Sequence, residues 1–142
     1  MRNYLEIALL IAGWALVVLC IASLWIPKVL DWKEKIKPLS PLMKELWWTY
    51  ALYVWCSHIF FSVLALGFSD FLLSQTGAAV AISFFIFGWW GVRLYLQFFG
   101  FNLDEVKNTF MHRLAKHLLT LLFVYLVAVF GSIVLWNADF LE

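Results

Sequence analysis

Cysteine, proline and charged residues are all scarce in this chain of 142 residues. Charged residues make up 13% of it, roughly half of the share typical of soluble domains, whereas hydrophobic residues reach 65%. The two cysteines, Cys20 and Cys56, form no C-x-x-C motif and no cluster with histidine, which argues against a disulfide framework and against a metal site such as zinc. We expect both to be buried free thiols that pack as small apolar side chains.

The motifs of several functional classes are also missing. The chain has no H-E-x-x-H, G-x-S-x-G, Walker or dinucleotide-binding pattern. Its formal net charge is only +1, and it contains no basic domain that could bind nucleic acid. Apart from Glu6 near the N-terminus, no carboxylate lies in an apolar run, so a proton-coupled transporter would lack its usual relay group. We therefore expect neither an enzyme nor a nucleic-acid-binding protein.

The most prominent feature that is present is a set of four long apolar runs. Each run approaches or exceeds the roughly 20 residues that a helix needs to cross a bilayer, and none alternates as a membrane strand would. The rest of the chain is too short for a separate soluble domain of about 50 residues or more. The sequence predicts an all-α integral membrane protein, in which four transmembrane helices form an antiparallel bundle and a single domain, residues 1–142. The predicted spans are residues 4–26, 47–67, 77–100 and 115–137.

The polar segment between the first two spans is expected to contain a short helix that lies on the membrane surface. Val29, Trp32 and Ile36 can face the acyl boundary while the intervening charged residues face water. The pair Ser40-Pro41 then has the pattern of an N-cap followed by proline in the first helical turn, and it predicts the start of the second long helix.

Two N-x-x-E patterns predict two further helix starts. In the first, Asn3 would cap the first helix while Glu6 reaches back to the free backbone amide. The second pattern runs from Asn102 to Glu105, and apolar residues continue from it with helical spacing into the fourth span. The sequence therefore predicts one uninterrupted helix from residue 103 to residue 137.

The basic residues predict how the chain is oriented in the membrane. The first loop holds five lysines, and the third loop with the start of the fourth span holds three basic residues. The second loop and the C-terminal tail hold none, and only Arg2 precedes the first span. By the positive-inside rule, loops one and three are cytoplasmic and both termini lie outside. We expect the membrane to be a prokaryotic plasma membrane.

His58 is the first candidate for a functional group, because it lies near the midplane of the second span. A neutral imidazole there needs both a donor and an acceptor partner, since lipid supplies neither. It could bind haem, a quinone or a chlorophyll-type pigment, which Trp55 and Trp89 would contact. The alternative is a histidine that hydrogen-bonds within the bundle to Ser62, Ser83 or a backbone carbonyl. We predict no bound cofactor, and a haem held by two histidines is disfavoured because His117 differs from His58 by about 10 Å in depth.

Arg93 is the second candidate, because an arginine in the middle of a span costs roughly 2.5–3.5 kcal/mol on insertion scales. Together with Gln97, His117 and Lys116 it could form a polar cluster that binds a lipid phosphate or a quinone head group. The alternative is that Arg93 extends toward the cytoplasmic surface while its stem packs on a neighbouring tryptophan such as Trp89.

Taken together, these features favour a small accessory or structural subunit of a larger membrane assembly. The expected partners are the lipid bilayer and other membrane protein subunits, in a homo- or hetero-oligomer. The alternative is a redox or pigment subunit that binds its ligand through His58 or the Arg93 cluster.

Overall fold

The computed structural model describes residues 1–100 and 109–139. All of the regular elements within these residues are helical. Four of them are long and apolar enough to cross a membrane, which confirms the number of such helices predicted from the apolar runs. The helices are α1 (Arg2–Ser23), α2 (Ile26–Val29), α3 (Trp32–Lys35), α4 (Pro41–Gly67), α5 (Ser69–Leu72), α6 (Gly77–Tyr95), which continues into a π-helical segment (Leu96–Gly100), and α7 (Phe110–Ala138).

Two of the long helices begin before the apolar run that they contain. As predicted, Ser40 caps α4, because its hydroxyl accepts a hydrogen bond from the backbone N–H of Met43 at 3.4 Å. Helix α7 begins at Phe110, and Thr109 before it has an extended backbone. The predicted uninterrupted helix from residue 103 is therefore wrong at Thr109, and its predicted start at Asn102 lies outside the described residues.

The predicted cap of α1 is also wrong. The helix begins at Arg2, so Asn3 lies within its first turn, and no side chain caps it. Glu6 does not reach back to a backbone amide but accepts a hydrogen bond from Arg2 Nε at 2.8 Å. Arg2 Nη2 also donates to Asp70 of α5 at 2.8 Å. The Arg2 guanidinium thus forms charge-assisted bonds to two carboxylates, and Glu6 is engaged with Arg2 instead of with the start of the helix.

The segment between α1 and α4 contains two single helical turns rather than the one short helix that we expected. Helices α2 and α3 are separated at Asp31, whose backbone is left-handed with φ 52°. Trp32 at the start of α3 packs edge-on against Trp47 and Trp48 of α4, at ring-centroid distances of 5.2 and 5.8 Å. This contact between indole rings ties the polar segment to the beginning of α4.

Helix α1 packs closely along α4, and the two helices run in opposite directions. Ser62 donates a hydrogen bond to the carbonyl oxygen of Gly13 at 3.1 Å, and Trp55 Nε1 donates to that of Cys20 at 3.1 Å. Gly13 allows this approach, because a Cβ atom there would lie 2.5 Å from the side chain of Leu66. The absence of a side chain at Gly13 thus sets the distance between the two helices.

The second close pair is α6 and α7, which also run in opposite directions. Trp90 of α6 meets Phe123 of α7 at a ring-centroid distance of 5.5 Å, and Gln97 near the end of the same span contacts Thr120. Helix α7 also packs on α1, where the Tyr125 hydroxyl donates to the carbonyl oxygen of Ala8 at 2.9 Å. The two helix pairs are therefore joined mainly through α1 and α7.

A buried asparagine joins the end of α7 to the connection between α5 and α6. The side chain of Asn137 is fully buried. Its Nδ2 donates to the carbonyl oxygen of Leu72 at 2.7 Å, and its Oδ1 accepts from the backbone N–H of Gln75 at 3.0 Å. Gln75 has a positive φ of 55°, which is uncommon for a residue with a side chain. The amide of Asn137 therefore fixes the conformation of this turn.

Candidate functional site

The centre of the molecule contains a cluster of aromatic rings between α4, α6 and α7. Helical spacing of three and four residues places His58 and Phe61 on one face of α4, and Phe85 and Trp89 on one face of α6. We refer to the whole group as the aromatic cluster. Its members are His58, Phe61, Phe85, Trp89, Trp90 and Phe123.

The His58 ring contacts two tryptophans of α6. It stacks on Trp90 at a ring-centroid distance of 5.1 Å and an interplanar angle of 26°, and it meets Trp89 edge-on at 6.5 Å and 87°. Phe61 packs against the same two indoles at 5.6 and 6.2 Å. His58 is only 6% exposed and Trp90 is fully buried, so the stacked pair is sealed on both sides.

Several polar atoms around this stacked pair have no hydrogen-bond partner within the part of the chain that the structure describes. They include both ring nitrogens of His58, the indole nitrogens of Trp89 and Trp90, and the hydroxyl of Ser83. The expectation that His58 bonds within the bundle to Ser62, Ser83 or a carbonyl is therefore wrong. Ser62 bonds to α1 instead, because its hydroxyl reaches the Gly13 carbonyl. A buried polar group left without a partner costs about 1–3 kcal/mol, so this concentration of them is unusual for a merely structural core.

Arg93 lies one helical turn beyond Trp89, on the side of α6 that also holds the buried Ile86 and Trp90. Its side chain is half-buried, and it interacts electrostatically with His58. No described residue forms an ion pair or a hydrogen bond with its guanidinium. Arg93 thus lies one helical turn from Trp89 and Trp90, the two tryptophans whose rings contact His58.

The remaining members of the proposed Arg93 cluster lie closer to the end of the spans. Gln97 Nε2 donates to the hydroxyl of Thr120 at 3.4 Å, and that hydroxyl donates to the carbonyl oxygen of Lys116 at 2.9 Å. Lys116 and His117 are both exposed. Sequence reasoning missed Thr120, since a single threonine in an apolar run carries no signal until the facing helix is known.

Trp55 contacts α1 rather than α6, although it lies only one helical turn from His58 on α4. Its indole donates to the Cys20 carbonyl, and the ring lines an open groove of about 550 Å³ between the two helices. The groove is almost entirely apolar, and its one polar side chain, Ser62, already bonds to Gly13. Cys20 is buried, but Cys56 is exposed, so the expectation of two buried thiols is wrong for Cys56.

Comparisons with protein families, curated proteins and solved structures each found no match to this chain. The function therefore has to be argued from the aromatic cluster, from Arg93 and from the outward-facing surfaces of the helices.

Proposed function

We propose that this is an integral membrane protein in which α1, α4, α6 and α7 form an antiparallel bundle across the bilayer. The support comes from the outward-facing side chains of these helices, which are large and apolar: Trp14 is 59% exposed, Phe84 61% and Leu135 68%. Contiguous apolar surface of this kind is rare on proteins that are surrounded by water, but it suits contact with lipid.

The orientation that we propose has loops one and three in the cytoplasm and both termini outside, in a prokaryotic plasma membrane. The tryptophan contacts at α3 support it, because Trp32, Trp47 and Trp48 gather beside the lysine-rich loop, and indoles concentrate at the surfaces of membranes. The opposite end of the helices holds the carboxylates Glu6 and Asp70. This distribution of charge follows the positive-inside rule.

Within that membrane, the protein acts as an accessory or structural subunit of a larger assembly. One surface carries this proposal, namely the outward face of α6. Gly88 and Gly91 lie on it with no atom within 4 Å of where a Cβ would be, and the flanking Phe84 and Tyr95 are 61% and 62% exposed. Glycine in a helix interior costs about 1 kcal/mol relative to alanine, but it lets a second helix come close in lipid. A helix of another subunit fits between these two aromatic rings.

Co-purification tests this proposal. The tagged protein is cross-linked in its native membrane, extracted in mild detergent and compared with the variants Gly88→Leu and Gly67→Leu. Both glycines have open space around them, so both variants should fold. We expect partner subunits with the parent and with Gly67→Leu, and their loss with Gly88→Leu. Recovery of the chain alone, or equal recovery of partners with Gly88→Leu, would contradict the proposal.

One observation favours the alternative function, a redox or pigment subunit. Within the described residues, neither the ring nitrogens of His58 nor the guanidinium of Arg93 has a hydrogen-bond or ion-pair partner, and such unpartnered polar groups suit a bound ligand better than a closed protein core. An absorption spectrum of the gently purified protein separates the ligand types. A Soret or chlorophyll-type band that disappears in His58→Phe would identify a haem or a pigment.

A further inference from the structure

The unpartnered groups around His58 are mostly hydrogen-bond donors. Trp89 and Trp90 each have a buried indole N–H without a partner among the described residues. Arg93, one helical turn further along α6, carries further N–H donors on its half-buried guanidinium. His58 adds one donor and one acceptor when its ring is neutral. A ligand that satisfies this set must therefore carry oxygen acceptors, and it must be apolar enough to reach the interior of a membrane span.

The rings of the aromatic cluster specify the shape of that ligand. His58 and Trp90 stack at an interplanar angle of 26°, while Phe61 stands edge-on to Trp90 and Trp89 stands edge-on to His58. The side chains that would surround a ligand here are therefore flat rings in both orientations, which suit contact with a planar ligand. A phospholipid head group is neither flat nor stable at this depth. A haem held by two histidines would need a second axial ligand, and His117 lies on an exposed side of α7.

The contact between α4 and α6 is looser than the contacts within the two helix pairs. Helix α1 packs closely on α4 and α6 on α7, whereas α4 and α6 meet through side-chain rings of the aromatic cluster. Phe85 is 60% exposed at the outer edge of this contact, and the half-buried Trp89 lies between it and His58. The polar atoms are sealed in this conformation, so binding of a ligand from the bilayer would require Trp89 to move aside.

We propose that His58, Trp89, Trp90 and Arg93 form a binding site for a quinone head group, whose carbonyl oxygens accept hydrogen bonds from these donors. This inference rests on the alternative function proposed above and selects its ligand class. Each hydrogen bond to a buried donor that a variant removes weakens binding about tenfold.

The full-length protein in detergent is titrated with a 1,4-benzoquinone that carries a decyl tail, and with decylbenzene, which has the same tail but no carbonyl oxygen. Ligand binding to the folded state raises the unfolding temperature, so the thermal shift reports affinity. We expect the quinone to stabilise the parent and decylbenzene to have no specific effect. The variant His58→Phe keeps a ring that can stack on Trp90, but it should bind the quinone at least about tenfold more weakly.

Two further variants separate the site from general packing. Trp90→Phe removes an indole N–H and should also weaken quinone binding, whereas His117→Phe changes an exposed histidine and should bind like the parent. Without ligand, His58→Phe should be at least as stable as the parent, since it removes two unpartnered nitrogens.

Equal stabilisation of the parent by the quinone and by decylbenzene would overturn the proposal, as would a His58→Phe variant with unchanged quinone affinity. A Soret band in the parent would also overturn the quinone proposal, and it would identify the ligand of the alternative function as haem. The accessory role is tested independently by the loss of partners in Gly88→Leu, which does not depend on any quinone.

Discussion

Replacement of Asn137 by leucine should destabilise the protein strongly, although leucine is apolar and of similar size. The change removes both partners of the buried amide, the carbonyl oxygen of Leu72 at 2.7 Å and the backbone N–H of Gln75 at 3.0 Å. Each group left unpaired costs about 1–3 kcal/mol, so the two together cost about 2–6 kcal/mol. The buried leucine side chain offsets about 1–2 kcal/mol of this. The net loss in the free energy of unfolding therefore lies between about 0 and 5 kcal/mol, and we expect about 2–3 kcal/mol from the middle of the two ranges.

This loss can be measured by reversible unfolding in dodecylmaltoside micelles with an increasing fraction of sodium dodecyl sulfate, followed by circular dichroism. Ser132→Ala is the matched control on the same helix, because the Ser132 hydroxyl is exposed and bonds only to the carbonyl of Ala128. The control should change the free energy of unfolding by less than about 0.5 kcal/mol. An Asn137→Leu variant as stable as the parent would refute the reasoning that this amide holds the turn at Gln75.

Two further predictions concern α1 and α6. Gly13→Ala should lower the free energy of unfolding by about 1–3 kcal/mol, since its methyl group would lie 2.5 Å from Leu66. Gly88→Ala should leave the free energy of unfolding of the isolated chain unchanged or raise it by up to about 1 kcal/mol, because no neighbouring atom lies within 4 Å of where its Cβ would be. If Gly88→Ala were instead the more destabilising of the two variants in the same unfolding assay, close packing of α1 on α4 at Gly13 would be excluded. Arg93→Leu should insert normally, because leucine removes the insertion cost, but should lose a specific partner or ligand. If Arg93→Leu retains its partners and its quinone affinity, the arginine merely extends to the membrane surface.

Hydropathy alone predicted the long helices well, because a helix that crosses lipid must be apolar over a fixed length. It could not predict their full extent: the turns from Pro41 onward are polar yet helical, capped by Ser40 as the sequence indicated. The prediction that the fourth long helix runs without a break through Thr109 was wrong for a different reason. Helical spacing of apolar residues does not reveal a single residue with an extended backbone.

For the candidate site, the sequence could predict only which residues share a face of the same helix. Helical periodicity places Trp89 and Arg93 on one face of α6, and in the structure Ile86 and Trp90 are buried on that side whereas Gly88 is open to the outside. Which residues face each other across helices depends on how each helix is rotated and shifted against its neighbour. For that reason the stacking of His58 on Trp90 and the lack of partners for its nitrogens became apparent only in three dimensions.

The crossing of the membrane itself can be tested most directly by cysteine labelling. In a background with Cys20→Ala and Cys56→Ala, single cysteines are introduced by Ser74→Cys, in the exposed connection after α5, and by Lys33→Cys, in α3. Intact cells are treated with a maleimide that cannot cross membranes. The proposed topology predicts labelling of Ser74→Cys in intact cells and of Lys33→Cys only after permeabilisation. Labelling of Lys33→Cys from outside, or of Ser74→Cys only after permeabilisation, would contradict it.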